Sequence, residues 1–237
     1  HFDIHGGYYE DPVILDGVKR LGEIRQESLA ADRASTAEIL VLVDEHSPHF
    51  VRFRNPPEAP GKFLSNLLSA QVAELGFVAP YDTALLSDLG TLDTHRYKLV
   101  LMLNAFYLDA PQRRLLERHL QTQDKTILWF YAPGYFDETS GSPEHVSQVT
   151  GIQVLADQLA GSDAAVVWTT HVAGLAVREP LLAADPLIVV DPRATALAVR
   201  SDDPAKVVVA RRRMGTWTSI YSATAPLTAP LLKQLAT

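Results

Sequence analysis

The stretch TILWFYAPGYF, Thr126 to Phe136, runs an apolar segment into a Pro-Gly turn. Enzymes use that layout to present a nucleophile at the edge of a sheet. The turn here offers Ala132, Pro133 and Gly134, and the chain contains no cysteine, so thiolate chemistry and disulfides are both excluded. The serines nearest the turn are Ser140 and Ser142 in ETSGSPEH, with His145 close by. They lie well past the strand, form no GxSxG elbow and read as a surface loop. Asp137 and Glu138 are the nearest carboxylates. Glycoside hydrolysis needs two carboxyl groups facing each other across a cleft at roughly 5–9.5 Å, whereas adjacent residues of an extended segment point apart. Either could be half of a pair, with no partner to name.

A second group sits in DEHSPH, where Asp44, Glu45, His46 and His49 are all metal-ligating types. A transition-metal site needs three or more to converge with supporting hydrogen bonds, and an HxxH spacing alone reads as a polar strand-end loop. Phosphate binding fails on its main requirement, since the proline-rich loop before Lys62 has neither GxGxxG nor GxxxxGK. A flavin fits the spacing without any residue to support it, so no cofactor is expected. Aromatic side chains are more informative. NAFYLDAP and FYAPGYF place Phe106, Tyr107, Tyr131, Tyr135 and Phe136 at one end of the sheet. Such a surface suits a sugar or a protein partner, or is a core edge capped by its own loops.

The elements that position these residues follow from periodicity. Pro12 to about Arg33 repeats Ile14, Val18, Leu21, Ile24 and Leu29 at helical spacing after an Asp11-Pro12 start. Ile39–Val43 is a short apolar strand. Lys62 to Leu75 is helical, with Gly76 as its expected C-cap. YDTALLSDL and YKLVLMLNAFYL are strands; DAPQRRLLERHLQTQ is a helix with Asp109 as N-cap; KTILWFY is a further strand. Continuous apolar runs, without alternation, predict a parallel sheet through Ile39–Val43, Leu99–Leu103 and Ile127–Phe130, covered on both faces. After Gly161 the strands become short and closely spaced, and some should extend the sheet antiparallel or form a small β-rich excursion. A terminal helix spans Pro230 to Leu235.

Of the 237 residues 47% are hydrophobic and 21% charged, enough for one large or two small domains with a real core. The net charge of −7 argues against nucleic-acid and anionic-membrane partners, and the run Arg211-Arg212-Arg213 reads as solvated residues near a hairpin. No apolar run reaches a membrane span and no signal peptide is visible, so a soluble, cytoplasmic protein is expected. The first residue is His1, not Met, which sets the expectation of a piece of a longer chain.

The order of EILVLVDE, LLSAQVAELGFVAPYDTALLSDL, YKLVLMLNAFYLDAPQRRLLERHLQTQDKTILWFYAPGYF and GTWTSIYSATAPLTAPLLKQLA resembles a known domain. It is similar to the amidotransferase-like trimerisation domain that follows the TIM barrel in glycoside hydrolase family 42 β-galactosidases and related glycosidases. The resemblance covers roughly Thr36 to Thr237. It implies an α/β fold, a flavodoxin-like or class I glutamine amidotransferase-like three-layer sandwich with a mostly parallel central sheet and extra antiparallel strands near the C-terminus. It also implies residues 1–35 as a barrel remnant plus linker helix and 36–237 as the domain itself. In the amidotransferases the turn after the corresponding strand carries a G-x-C-x-G nucleophile. The matching place here implies Ala132 as the degenerate nucleophile position, and alanine cannot attack a carbonyl. The downstream His-x-Glu pair has no counterpart; PEHV reverses its order. FDIHGGYYEDP is similar to the phrase that closes the last barrel strand, which implies Asp3, His5, Tyr8 and Tyr9 as former sugar-site residues, with Tyr131 and Tyr135 added from the aromatic edge. The expected role is a non-catalytic accessory domain that self-associates as a dimer or trimer and partners a preceding TIM barrel and its carbohydrate. The rivals are an active hydrolase using Asp137, Glu138 or the Asp44–His49 loop, and a stand-alone carbohydrate-binding module.

Overall fold

The computed structural model describes residues 11–32, 34–50, 65–122, 124–157, 165–169, 178–180 and 186–235. Asp3, His5, Tyr8 and Tyr9 lie outside these residues. By internal contacts the chain divides into two units, His1–Thr36 and Ala37–Thr237.

In the first unit α1 spans Pro12–Ala30. Asp11 caps it by accepting from the Val13 and Ile14 amides, and Pro12 occupies a first-turn position where its missing N–H costs nothing. The repeating apolar residues Ile14, Val18, Leu21, Ile24 and Leu29 are all exposed.

The second unit is built on one sheet. Its strands are β1 (Ile39–Val43), β2 (Tyr81–Leu85), β3 (Leu99–Met102), β4 (Thr126–Phe130), β5 (Val154–Ala156), β6 (Ala165–Trp168), β7 (Arg178–Pro180), β8 (Leu187–Val189), β9 (Thr195–Arg200), β10 (Val207–Met214) and β11 (Trp217–Ser222). The order is β2-β1-β3-β4-β11-β10-β9-β6-β7, with β8 pairing β10 and β5 pairing β8. As their apolar runs predict, β1, β3 and β4 are parallel neighbours, and Leu40, Val100, Leu101, Ile127 and Leu128 are fully buried. A strand covered on both faces has no reason to alternate.

The sheet is less parallel than expected. Four pairings are parallel and six antiparallel among the described residues. β11 makes the transition: it runs parallel to β4 and antiparallel to β10. The turn joining β10 to β11 contains Gly215 at φ 72°, a conformation only glycine adopts at no cost.

The helices of this unit are α2 (Gln71–Gly76), α3 (Ala110–His119), α4 (Pro143–Thr150) and α5 (Ala229–Leu235). Of the helix expected over Lys62 to Leu75, the described part is a π-helical turn, Ser65–Ala70, followed by α2, with Gly76 its last helical residue and the C-cap falling on Phe77 with φ −89°. The buried Gln71 clasps α5's approach, its amide donating to the Leu227 carbonyl and its carbonyl accepting from the Leu227 amide. α3 starts in a full capping box, Asp109 with Gln112, as DAPQ indicates. Gln121, just past α3, donates to the Val149 carbonyl of α4.

Candidate functional site at the carboxyl ends of the parallel strands

The progress of the chain reverses between β1 and β3, since β1 is followed by its neighbour on one side and β3 by β4 on the other. Open α/β sheets place their ligands beyond the strand ends at such a point. The loops after β1 and β3 meet there. The Asn104 side chain grips the Asp44 backbone in both directions, accepting from its amide at 2.8 Å and donating to its carbonyl at 2.8 Å. Asp44 Oδ2 accepts from the Ser47 amide, and Ser47 Oγ accepts from the Tyr107 amide. These side chains hold the loops together. Asp44, Glu45, His46 and His49 do not converge, and among the described residues no three metal-ligating side chains form a group.

The turn after β4 holds the backbone strain. Tyr131 has φ 60°, left-handed and costly for a residue that carries a Cβ. It is the residue directly following the strand, and Ala132, the expected nucleophile position, is buried one step further on. Two bonds hold Tyr131 in place. Its amide donates to the Ser222 carbonyl at 2.8 Å, and its carbonyl accepts from the Tyr221 hydroxyl at 2.5 Å. Complete burial pushes the Tyr221 phenol well above its ordinary value, so it stays a donor. Gly134 then turns back at φ 63°, its amide donating to Ala105 and its carbonyl accepting from Arg113 Nη2 at 2.9 Å. Arg113 Nε also donates to the Leu108 carbonyl, so one guanidinium ties the two loops.

Both carboxylates in the following loop are committed to structure. Asp137 Oδ1 accepts from the Ser140 amide and from the Thr139 amide and hydroxyl, which with His145 nearby lowers its pKa to about 2. Glu138 Oε1 accepts from the Ala110 amide at the start of α3, which lowers its pKa. His145 sets Nδ1 3.1 Å from the Tyr135 carbonyl and Nε2 3.3 Å from Asp137 Oδ2. An Asp–His pair is present, therefore, with no hydroxyl hydrogen-bonded to the imidazole among the described residues: Ser142 Oγ caps α4 by accepting from the His145 amide. The sequence signal for α4 was Ser142-Pro143-Glu144, a cap, a first-turn proline and an acidic first turn, with Gly151 at φ 69° closing the helix.

A folded carboxyl held near 2 contributes stability above its ordinary value and loses it as pH falls through about 2. We therefore expect the melting temperature of Asp137→Asn to fall less than that of the unmodified protein between pH 4 and pH 2. Parallel acid limbs in a differential scanning calorimetry series would show that the Asp137 network is not formed.

The aromatic residues do gather, against one another. Tyr107 stacks on Phe50 at 4.6 Å and Phe50 on Phe136 at 5.4 Å, while Tyr135 meets Phe136 edge-on at 5.0 Å and Phe106 meets Tyr131 at 6.1 Å. Phe50, 41% exposed, is the member that sequence reading misses, although it follows DEHSPH directly.

No family model matches the chain, and no curated protein sequence matches it. Solved structures do. A β-galactosidase from Bacillus circulans sp. alkalophilus matches with TM-score 0.65 at 18% identity over 95% of this chain and 34% of its own. The cold-adapted β-galactosidase from Rahnella sp. R3 gives 0.68 at 19% over 95% and 35%, and a GH42 β-galactosidase from G. stearothermophilus 0.69 at 17% over 98% and 33%. The chain shares its fold with a segment of these β-galactosidases. It spans about a third of the length of each. In the described residues no helix is long and apolar enough to cross a membrane.

Proposed function

We propose that this chain is a non-catalytic accessory domain of a glycoside hydrolase of the β-galactosidase kind, which holds subunits together and shapes the sugar site of a preceding TIM barrel. The observation carrying this reading is the asymmetry of coverage: at least 95% of this chain aligns with about a third of each β-galactosidase. On this reading residues 1–35 are the barrel remnant and linker, with Asp3, His5, Tyr8 and Tyr9 as displaced site residues, and α1 offers its exposed apolar stripe to a neighbour.

The finer fold reading belongs here too. Right-handed crossovers place α2 and α3 on opposite faces, because β1 to β2 and β3 to β4 move in opposite directions along the sheet. Hydrogen bonds put α5 beside α2 and α4 beside α3. These positions support reading the parallel half as a flavodoxin-like, amidotransferase-like three-layer arrangement. Within this reading we place the degenerate elbow at Tyr131, one residue before the expected Ala132, because its φ of 60° is the strained conformation that an elbow residue adopts. The tyrosine is tied there through its backbone, and neither Asp137 nor Glu138 is left to serve as a base.

Assembly is tested by light scattering coupled to size-exclusion chromatography over a concentration series. A dimer or trimer that dissociates on dilution is expected, and its contact should bury at least about 1,000 Å² in total. A strict monomer at high micromolar concentration removes the self-association part of the reading.

A further inference from the structure

We propose that the open sheet face beside α5 is a binding site for a small ligand carrying two or more oxyanion groups. This inference stands apart from the accessory-domain reading. Its basis is a groove of about 640 Å³, within the range of small-molecule sites. Cross-strand register builds it in two rows. Arg211 lies between Thr195 of β9 and Ile220 of β11, and Arg213 opposes Thr218, which in turn opposes Thr126 of β4. Residues two apart on a strand share a face, so Arg211 and Arg213 both belong to this one. Arg193, in the loop before β9, and Leu235 of α5 complete the rim.

The chemistry of the lining is one-sided. Among the described residues its polar side chains are guanidiniums and threonine hydroxyls, with no carboxylate. Three arginines, Arg193, Arg211 and Arg213, face the groove; Arg212, between the last two, turns to the other face and donates to the Gly151 carbonyl and to Asp191. Asp191 also takes Arg193, and Asp124 takes Arg213 in a pair 57% and 80% exposed. Arg211 has no ion-pair partner among the described residues and is exposed. A positive surplus in a chain of net charge −7 is a local feature. Planar forks at fixed spacing on a rigid sheet suit carboxylate or phosphate oxygens bidentately, and a concave site of this size favours a small molecule over a nucleic-acid backbone.

The test is isothermal titration of the full chain at low salt with inorganic pyrophosphate in one arm and citrate in the other, which separates phosphate from carboxylate preference. Saturable submillimolar binding of at least one anion, weakened by added KCl, is expected. Arg211→Ala should weaken it about tenfold and Arg211→Lys by less, as a charged hydrogen bond is lost or reduced to a point charge. Arg211 makes no side-chain hydrogen bond or ion pair with the described residues and is exposed, so the variants should melt as the parent does; an Arg193→Ala variant gives the same readout from a different element. Absence of saturable binding by both anions at millimolar concentration overturns the proposal. So does binding that both alanine variants leave unchanged, or tighter binding of a single-stranded oligonucleotide than of either anion.

Discussion

Trp129→Ala should lower the stability of the second unit by about 4 kcal/mol, the cost of deleting a large aromatic side chain from a closed core. Trp129 is fully buried near the carboxyl end of β4, opposite Met102 of β3 and Tyr221 of β11. Its indole N–H donates to Ser219 Oγ at 3.1 Å, and Ser219 Oγ donates to the Thr150 carbonyl at 2.6 Å. One side chain thus fills the space between three strands and links them to the end of α4. For a unit of this size the loss corresponds to a fall of roughly 10 °C in melting temperature. Trp129→Phe keeps most of the volume and gives up the donor, so it should cost only about 1–2 kcal/mol. Equal effects of the two variants in chemical denaturation would show that the indole hydrogen bond, and not the packing, dominates.

Gly134→Ala should cost about 3 kcal/mol, combining left-handed backbone strain with overpacking. A Cβ at this position would stand 2.8 Å from Val149 Cγ2 and 3.1 Å from Leu108 Cδ1. Gly134→Asn tolerates the dihedral but not the space, so it should be nearly as damaging. In the Gly134→Ala background, Val149→Ala removes the closest atom and should recover part of the loss, a coupling that a double-mutant cycle reads directly. Strict additivity would place the cost in the backbone alone. The position matters to function because Gly134 is the point where the loops after β3 and β4 are pinned by Arg113.

The contrast between what was and was not legible in the sequence has physical causes. β1, β3 and β4 announce themselves because a strand buried on both faces must be apolar throughout. α3 is legible because its caps are local: Asp109 and Gln112 satisfy each other three residues apart. The pairing direction of β11 is not, since six residues of WTSIYS carry no mark of whether the neighbour runs with or against them. α4 had a legible start in Ser142-Pro143-Glu144, which is overlooked when Ser142 is weighed as a nucleophile.

The site divides in the same way. Adjacent carboxylates at Asp137 and Glu138 are visibly unsuited to face each other across a cleft, but their actual partners are the amides of Thr139, Ser140 and Ala110, the last 28 residues away. Tyr131 gives no local sign of a left-handed conformation. Tertiary contacts with Ser222 and Tyr221 impose it from about 90 residues downstream.

On the proposed reading this turn keeps the shape of a catalytic elbow without its chemistry. Incubation of the purified chain with p-nitrophenyl β-galactoside, and separately with glutamine, tests it most directly. Release of nitrophenol and ammonia is expected at the rate of the buffer blank, unchanged in Tyr131→Phe and Asp137→Asn. Turnover of either substrate that Asp137→Asn abolishes would contradict it.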